Sequence, residues 1–401
     1  LVQATSQNLP LTPTTIQAHR YTTYRCANIE PKRTANTLAV VQVFKRALLE
    51  YFSEVFSGKF TAHDLASDAK HLVASGIEEI AYQDELVPTI WARCGNGSLV
   101  GFTYQRTSLV SSEKPVTGWH RTTLGSGRTV ESICVASNTD GTLDALCAVT
   151  NDSVTGIRHV ELMTNVFAET DLLANAWFLD NAVRPSSTST SNVTPAPYGG
   201  LTINGLWHLN GQNVDVFAGG LDCGQGEYVI DPGTGLPVPP TTFLVTNGSI
   251  TVPYGDGISA GSGEGLFTAA FAAASAAAGN PIVGFTYNSD GQLLRPALPA
   301  DSGARNGPAF GKTRRQHRYA VQVVNTAALA IGTSFSSLDP IPFKSEDQSG
   351  ERMPPLQTFT GVYADTIEDG YSLDSMLAWR ISRPLPAMLA AIGGFIQTTD
   401  Q

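Results

Sequence analysis

The feature that most constrains this chain is a series of short apolar runs across residues 77–163, separated by turn sequences. The runs are rich in β-branched and aromatic residues, which favour strands. Two of the turns contain the pairs Asn96-Gly97 and Asp140-Gly141, which supply the positive φ that a tight hairpin requires. The stretch therefore predicts consecutive antiparallel hairpins without a helix, spaced like the blades of a β-propeller or a long meander.

A second feature is the order of the motifs in the chain. They are Glu-Ile-Ala-Tyr-Gln at 79–83, Pro-Thr-Ile-Trp-Ala-Arg at 88–93, Asn-Gly-Ser-Leu-Val-Gly-Phe-Thr-Tyr at 96–104, Trp-His-Arg at 119–121, Val-Glu-Ser-Ile-Cys-Val at 130–135 and Gly-Leu-Trp-His-Leu-Asn-Gly-Gln at 205–212. In this order the chain resembles the tail nozzle (tail tubular, tail hub) proteins of short-tailed bacteriophages. The resemblance lies in the order rather than in any one motif, and it extends more weakly over most of the chain.

The resemblance implies a structural virion protein of the phage tail, assembled in the host cytoplasm. Members of the family form a ring of six below the portal and adaptor. The expected partners are therefore other copies of the chain, the adaptor or portal-side proteins, and tail fibre or needle proteins. Genomic DNA is expected to pass through the ring without sequence-specific binding. No catalytic residue, cofactor or metal is predicted.

Composition indicates the general class of protein. A length of 401 residues predicts two or three domains. Only 15% of the residues are charged, and the chain has 38 glycines and 23 prolines, which fits a turn-rich all-β protein that buries surface against neighbours. The net charge of −10 argues against a grip on nucleic acid through phosphate neutralisation.

The cysteines and histidines show no metal-binding spacing. The five cysteines are Cys26, Cys94, Cys134, Cys147 and Cys223. They include no Cys-x-x-Cys pair, so we expect five reduced thiols made in a reducing cytoplasm. The sequence has no run of 18 apolar residues, so no transmembrane helix is predicted. Because residue 1 is Leu and no secretory signal follows it, the sequence is expected to start inside a longer protein.

The order of patterns along the chain predicts five regions. They are an extended arm and linker at 1–36, a propeller-like β platform at 37–184 with a short helix near 62–75, a Ser/Thr/Pro linker at 185–197, a small β-sandwich or barrel insertion at 198–280, and return strands at 281–401 that complete the platform. The insertion is expected to be separable from the platform.

Three segments combine helix and strand signals. Residues 47–60 have apolar spacing typical of a helix, whereas the family resemblance implies a strand, which we favour. Residues 61–64 look like a capping box in which Asp64 takes the N3 position usually held by Glu, and the apolar residues that follow predict a helix over 62–75. The Ala-rich segment 266–278 ends at Gly279, and its helical state stays open.

One basic run stands out in this acidic chain. The candidate contacts to channel DNA or to a neighbouring subunit are Lys312, Arg314, Arg315 and Arg318. Regular strand alternation places Lys312, Arg314 and Gln316 on one face, and Arg315, His317 and Tyr319 on the other. The functional interpretation is a positive band that touches phosphates or an acidic neighbour. The alternative is a charged edge strand that resists aggregation.

Two other classes of function remain as alternatives. A carbohydrate-binding module of a virion or secreted protein would use Trp91, Trp119 or Trp207 as stacking platforms. A serine esterase would use Ser259 in the Gly-x-Ser-x-Gly motif at 257–261, followed by Asp290 or Asp301 and then His317. Against the esterase, Pro253 and Gly255 separate the preceding strand from the serine. The loop 255–265 lacks the Gly-Lys-Ser/Thr that a phosphate cradle requires.

Assembly is the last expectation from the sequence. Low charge predicts exposed apolar patches, and such patches mark interfaces. A ring needs two different complementary surfaces on each subunit. The candidates are the arm at 2–15 and the apolar run at 384–396, both expected to cross to neighbouring chains. Each subunit should then bury more than the ~1,600 Å² of a standard interface.

Overall fold

The chain divides into two compact units, Leu1–Val166 and Phe167–Gln401, in a computed structural model. Strands account for 56% of the residues and helical turns for 3%, which confirms the mainly β fold class expected from the sequence. Among the described residues, no helix reaches seven residues. The structure describes residues 2–4, 10, 12–18, 22–34, 37–53, 60–85, 87–105, 116–137, 141, 143–164, 167, 171, 173, 176–184, 193–196, 200–218, 221–222, 229–230, 237–238, 243–253, 281–296, 313–343, 358–368 and 370–398.

The first unit is a succession of antiparallel strands in chain order. They are β1 (Val2–Ala4), β2 (Ile16–Ala18), β3 (Lys32–Thr34), β4 (Thr37–Val41), β5 (Leu48–Ser53), β6 (Phe60–Asp64), β7 (Ile77–Gln83), β8 (Thr89–Cys94), β9 (Leu99–Gln105), β10 (Val116–Thr122), β11 (Thr129–Ser137), β12 (Asp144–Asn151) and β13 (Arg158–Leu162). A single 3-10 turn, Gly125–Gly127, separates β10 from β11.

These strands form three meanders in which consecutive strands pair. The meanders are β3–β6, β7–β10 and β11–β13. Their first strands are neighbours, because β7 contacts both β3 and β11. Successive propeller blades have this arrangement. Gly97 and Gly141 adopt φ of 78° and 64°, as the Asn-Gly and Asp-Gly turns require. The predicted hairpins of residues 77–163 are therefore confirmed.

The two tryptophans of this stretch lie on strands, as predicted. Trp91 is buried, and its indole N–H donates to Gln83 Oε1 at 2.8 Å. Trp119 is half-buried, its indole N–H donates to the carbonyl oxygen of Leu65 at 2.8 Å, and its ring centroid lies 4.8 Å from that of Phe102. In both tryptophans the indole N–H, the polar group of an otherwise apolar ring, has a hydrogen-bond acceptor.

The predicted helix at 62–75 is wrong. Residues 60–64 continue as β6, where Asp64 is the ladder partner of Leu49. Asp64 Oδ1 then accepts the N–H of Ala66, two residues on, which starts a turn rather than a helix. The following bonds run from Ala69 to Ala66 and from Leu72 to Ala69. These i to i+3 turns bury the apolar side chains that suggested helical periodicity.

The other two segments with mixed helix and strand signals, 47–60 and 266–278, have different outcomes. Residues 48–53 form β5, which confirms the strand favoured for that part of 47–60. The segment 266–278 lies outside the described residues. The N-terminal arm does not extend away from its own chain, because β1 pairs with β2. Its backbone groups at 2–4 are thereby satisfied within the subunit.

The second unit has shorter strands in its first half and longer strands in its second half. They are β14 (Asp180–Val183), β15 (Val193–Ala196), β16 (Gly200–Asn204), β17 (Asn213–Ala218), β18 (Leu221–Asp222), β19 (Val229–Ile230), β20 (Pro237–Val238), β21 (Phe243–Leu244), β22 (Ser249–Pro253), β23 (Ile282–Phe285), β24 (Ser289–Gln292), β25 (Arg314–Thr326), β26 (Ala330–Ser334), β27 (Ser337–Pro340), β28 (Phe359–Thr366), β29 (Ala378–Ile381) and β30 (Met388–Thr398). A 3-10 turn spans Trp207–Leu209.

The predicted domain limits differ from this organisation. β23 pairs with β14 on one side and with β17 on the other. One sheet therefore joins residues before, within and after the predicted insertion at 198–280 through β14, β17 and β23, whereas β19 and β20 pair with each other inside it. The predicted linker at 185–197 lies inside the second unit and contains β15. The return strands of 281–401 also belong to this unit.

The second unit also contains the small sheets β15-β16-β22 and β19-β20 and two larger ones. The strand orders of the larger two are β24-β29-β26-β27 and β28-β25-β30. A core beneath them includes Tyr319, Val321, Val323, Ile331 and Leu377. β30 pairs along β25 within the same chain. Residues 388–396 therefore fold back onto their own chain, where the prediction had 384–396 cross to a neighbour; the ladder with β25 occupies one edge of β30, the outer strand of this sheet.

Candidate functional site

The basic run begins β25, the central strand of the sheet β28-β25-β30. Arg314 and Gln316 are buried, Arg315 is half-buried, and His317 and Arg318 are exposed. Lys312 lies outside the described residues. The charges of the run are therefore divided between the interior and the surface, and only the outer ones can meet a partner.

Arg314 stabilises the fold and is not exposed at the surface. Its side chain is 1% exposed, and Nη1 donates to the carbonyl oxygen of Pro296. Its backbone exchanges two hydrogen bonds of 2.9 Å with Ser372. A guanidinium held in this way is not available to a phosphate. The predicted role of Arg314 as a DNA or interface contact is corrected accordingly.

A β-bulge rearranges the faces of the run. Gln316 is the ladder partner of Ile396, whereas Arg318 is the partner of Phe395, so His317 is the extra residue. The bulge brings Arg318 to the face of Arg315. It also turns Tyr319 into the core, where it is 4% exposed. The predicted grouping of Arg315, His317 and Tyr319 on one face is wrong for Tyr319.

The two outer arginines each lie over an aromatic ring. The guanidinium carbon of Arg315 is 5.3 Å from the ring centroid of Tyr371, and Nη2 donates to Gln397 Oε1 at 2.8 Å. The guanidinium carbon of Arg318 is 5.6 Å from the ring centroid of Phe395. These distances are typical of cation–π contacts. They hold both charges in place at the protein surface.

Apart from the two arginines this face is uncharged, with apolar side chains beside the polar Gln322 and Gln397. Val362 is 67% exposed and Phe395 is 50% exposed. Over its eleven residues β30 contains no charged side chain. The one carboxylate of the three strands is Asp365, the ladder partner of the core residue Tyr319, which assigns it to the opposite face. We call this surface the arginine face: Arg315, Arg318, Val362, Met388 and Phe395.

A second apolar surface occurs on the first unit. β13 is an edge strand of the sheet β11-β12-β13. Val160 is 83% exposed, and Leu162 on the same face of the strand is also exposed. Among the described residues, one exposed apolar strand surface therefore lies in the first unit and another in the second.

A cavity of about 570 Å³ in the first unit holds a residue that sequence reasoning missed. Its lining includes Glu50, His63, Asp68 and Trp119. Glu50 is buried and accepts a hydrogen bond from the Tyr104 hydroxyl. The available signal was a carboxylate inside the apolar run 48–52, a pattern that indicates a paired buried charge.

The three candidate stacking platforms differ in exposure. Trp91 is buried, and Trp119 is half-buried with its N–H already bonded. Trp207 is 67% exposed, and its ring packs closely over the backbone of Gly248. Only Trp207 therefore presents an open aromatic face.

The esterase residues are not brought together in the described part of the chain. Asp290 accepts two hydrogen bonds from the Arg380 guanidinium, at 2.7 and 2.8 Å. His317 is the bulge residue on the surface of β25. Ser259 and Asp301 lie outside the described residues. Asp290 is thus engaged in an ion pair, which holds the carboxylate away from the role of orienting a histidine.

Within the part of the chain that the structure describes, no three His, Cys, Asp or Glu side chains group as metal ligands. Cys26, Cys94, Cys134 and Cys147 are free thiols. No helix among the described residues is long and apolar enough to cross a membrane.

Comparison with known proteins identifies no family. No family model matches the chain, and no curated protein matches it. Among solved structures, a glycoside hydrolase shares 8% identity and a TM-score of 0.17, over 92% of this chain and 83% of that chain. A similarity at this level carries no inference about fold or activity.

Proposed function

We propose that the protein is a structural subunit of a ring-shaped phage tail nozzle. The ring would form the channel for DNA ejection and a platform for tail fibres or a needle. The order of motifs from residue 79 to 212 supports this proposal, as does the succession of antiparallel meanders. The observation that carries it furthest is the arginine face, an exposed sheet surface that combines apolar side chains with two fixed positive charges and no carboxylate.

Ring formation explains why such a surface would stay exposed on one subunit. A ring closes through heterologous contacts, in which one surface of each chain meets a different surface of the next. The arginine face and the Val160 surface of β13 are two such surfaces. We propose that they meet between neighbouring subunits. Arg315 and Arg318 then lie at the rim of the contact, beside an acidic neighbour or the channel DNA.

Mixing of two surface variants tests this arrangement. Val362→Asp changes the arginine face, and Val160→Asp changes the β13 surface. Each variant alone should stay monomeric, since a buried unpaired carboxylate opposes the contact. A mixture of the two should form dimers but no larger species, because one intact pair of surfaces remains. Mass photometry and electron microscopy of the wild type should show closed rings.

Leu294→Asp is the matched control, since Leu294 is 90% exposed and belongs to neither surface. It should assemble as the wild type does. Rings formed by either single variant, or a mixture that stays monomeric, would contradict the proposed contact. A wild-type protein that stays monomeric at high concentration would overturn the nozzle function itself.

Carbohydrate binding is a second candidate because of Trp207. An exposed indole supported from behind by Gly248 offers a flat stacking surface for a sugar ring. A glycan array probed with the wild type and with Trp207→Ala separates this candidate from the nozzle. Binding that is lost in the variant supports it. An array without signal for the wild type removes it.

A further inference from the structure

Two cysteines face each other across the sheet of the first unit. Cys134 on β11 and Cys147 on β12 are direct partners in the antiparallel register. Opposite residues in such a ladder have side chains on the same face. Cys134 is exposed and Cys147 is half-buried. Burial raises the pKa of the Cys147 thiol, and the nearby Cys134 thiol raises it further, so the two side chains interact.

The backbone already provides the spacing that a disulfide needs. Directly opposed residues in an antiparallel pair have Cα atoms about 4.5 or 5.5 Å apart. Disulfides span Cα distances of roughly 4.4–6.8 Å. The bond can therefore form by side-chain rotation, without separating β11 from β12. Cys94 has no such opportunity, because it is fully buried and its ladder partner is Ile77.

We propose that Cys134 and Cys147 form a dithiol site that is oxidised by small-molecule disulfides. The exposed Cys134 thiolate attacks one sulfur of the reagent, which releases one thiolate and leaves a mixed disulfide on Cys134. Cys147 then loses its proton and attacks the Cys134 sulfur. That step forms the internal disulfide and releases the second thiolate. The two cysteines are oxidised, the reagent is reduced to two thiols, and the two cysteine protons neutralise them.

The surroundings of Cys134 leave its sulfur accessible to a small disulfide reagent. Cys134 belongs to the wall of a cavity of about 860 Å³, whose lining also includes Lys32, Arg33 and Glu131. A tripeptide disulfide is small enough to reach a thiol in such an opening. Cys147 lies on β12, the middle strand of the same sheet, and is half-buried, so it reacts second. The order of attack follows from exposure.

Cys147 shares its sheet face with Val160 and Leu162, so the test uses the Cys26→Ser/Val362→Asp chain, which leaves this face free of a subunit contact, incubated with oxidised glutathione. Residues 129–158 form one tryptic peptide that holds both cysteines. A second cleavage before Asp144 separates them unless a disulfide joins the two pieces. We expect a joined pair that is lighter by two hydrogens. Cys147→Ser should instead accumulate the glutathione adduct on Cys134, because the resolving thiol is missing.

A matched control moves the second thiol by one residue. In Cys147→Ser/Ala148→Cys the thiol points to the opposite face of β12, so the adduct should persist and no joined pair should form. The proposal is overturned if the protein that keeps both Cys134 and Cys147 accumulates only the glutathione adduct. It is also overturned if that protein does not react with oxidised glutathione. Joined peptides from the shifted control would also overturn it, because they would show that register does not select the pair.

Discussion

Replacement of Arg314 by alanine should destabilise the second unit strongly. The substitution removes the donor to the half-buried Pro296 carbonyl oxygen, and about 1–3 kcal/mol, the cost for a fully buried acceptor left without its partner, is the upper range of this effect. It also empties the space of a side chain that is 1% exposed, and large-to-small changes in a core cost about 2–5 kcal/mol. The two effects overlap, so we expect a loss of about 3–5 kcal/mol.

A methionine at the same position separates the two effects. Arg314→Met keeps most of the packed volume while it removes the donor, so the expected loss falls to about 1–3 kcal/mol. The surface arginine provides the control. Arg318→Ala removes one exposed cation–π contact with Phe395, which is worth about 0.5–1 kcal/mol.

Urea unfolding followed by far-UV circular dichroism and tryptophan fluorescence measures these losses. Trp379 packs against the core beneath β25, so fluorescence reports on the relevant unit. Hydrogen exchange of peptides covering 388–398 should accelerate in Arg314→Ala, since β30 pairs with β25. Equal small losses for Arg314→Ala and Arg318→Ala would refute the assignment of Arg314 to the fold.

Two other substitutions follow from local geometry. Gly332→Ala should cost about 1–3 kcal/mol in urea unfolding, because a Cβ there would overlap the Ser337 carbonyl oxygen. Gly118→Ala, where a Cβ meets nothing within 4 Å, should be near neutral, and a comparable loss there would contradict the steric reasoning. Burial raises the pKa of the Cys94 thiol above its ordinary value of 9.0, so the unfolded chain loses this proton first. The free energy of unfolding should therefore decrease as the pH rises through 9, and it should decrease less steeply in Cys94→Ala than in the wild type. Parallel pH curves for the two proteins would disprove this reasoning.

The hairpins between residues 77 and 163 were predictable because their signals are local. Alternating β-branched residues define each strand, and glycines at Gly97 and Gly141 define the turns through their positive φ. The pairing partner of each strand is its neighbour in sequence. Contacts of this kind need no knowledge of distant parts of the chain.

The false helix at 62–75 shows where local signals compete. The same Asp64 that suggested a helix cap is also a residue with a ladder partner, Leu49, on the previous strand. Pairing with β5 keeps the backbone extended through residue 64. The Asp64 carboxylate then accepts a hydrogen bond within a turn instead of capping a helix. Periodic apolar residues such as Ala69 and Val73 are buried by a series of turns just as a helix would bury them.

The division of the basic run was not predictable from its own residues. The faces of β25 depend on a bulge, and that bulge is set by the pairing of Gln316 and Arg318 with β30, about eighty residues away. A regular alternation was the natural expectation, and it fails at a single extra residue, His317. Glu50 was missed for the same reason, since its partner Tyr104 lies on another sheet.

The bulge has a consequence for any polyanion that meets the arginine face. It leaves two guanidinium groups per subunit at the surface, Arg315 and Arg318, each held over an aromatic ring. Two neutralised phosphates release about two counterions, so log K for DNA should fall with log salt with a slope of about −2 per subunit. Doubling the salt would then weaken such a contact only about fourfold. In a chain of net charge −10, two neutralised phosphates are a small electrostatic contribution, and a measured slope much steeper than about −2 per chain would show that further cations contact the DNA.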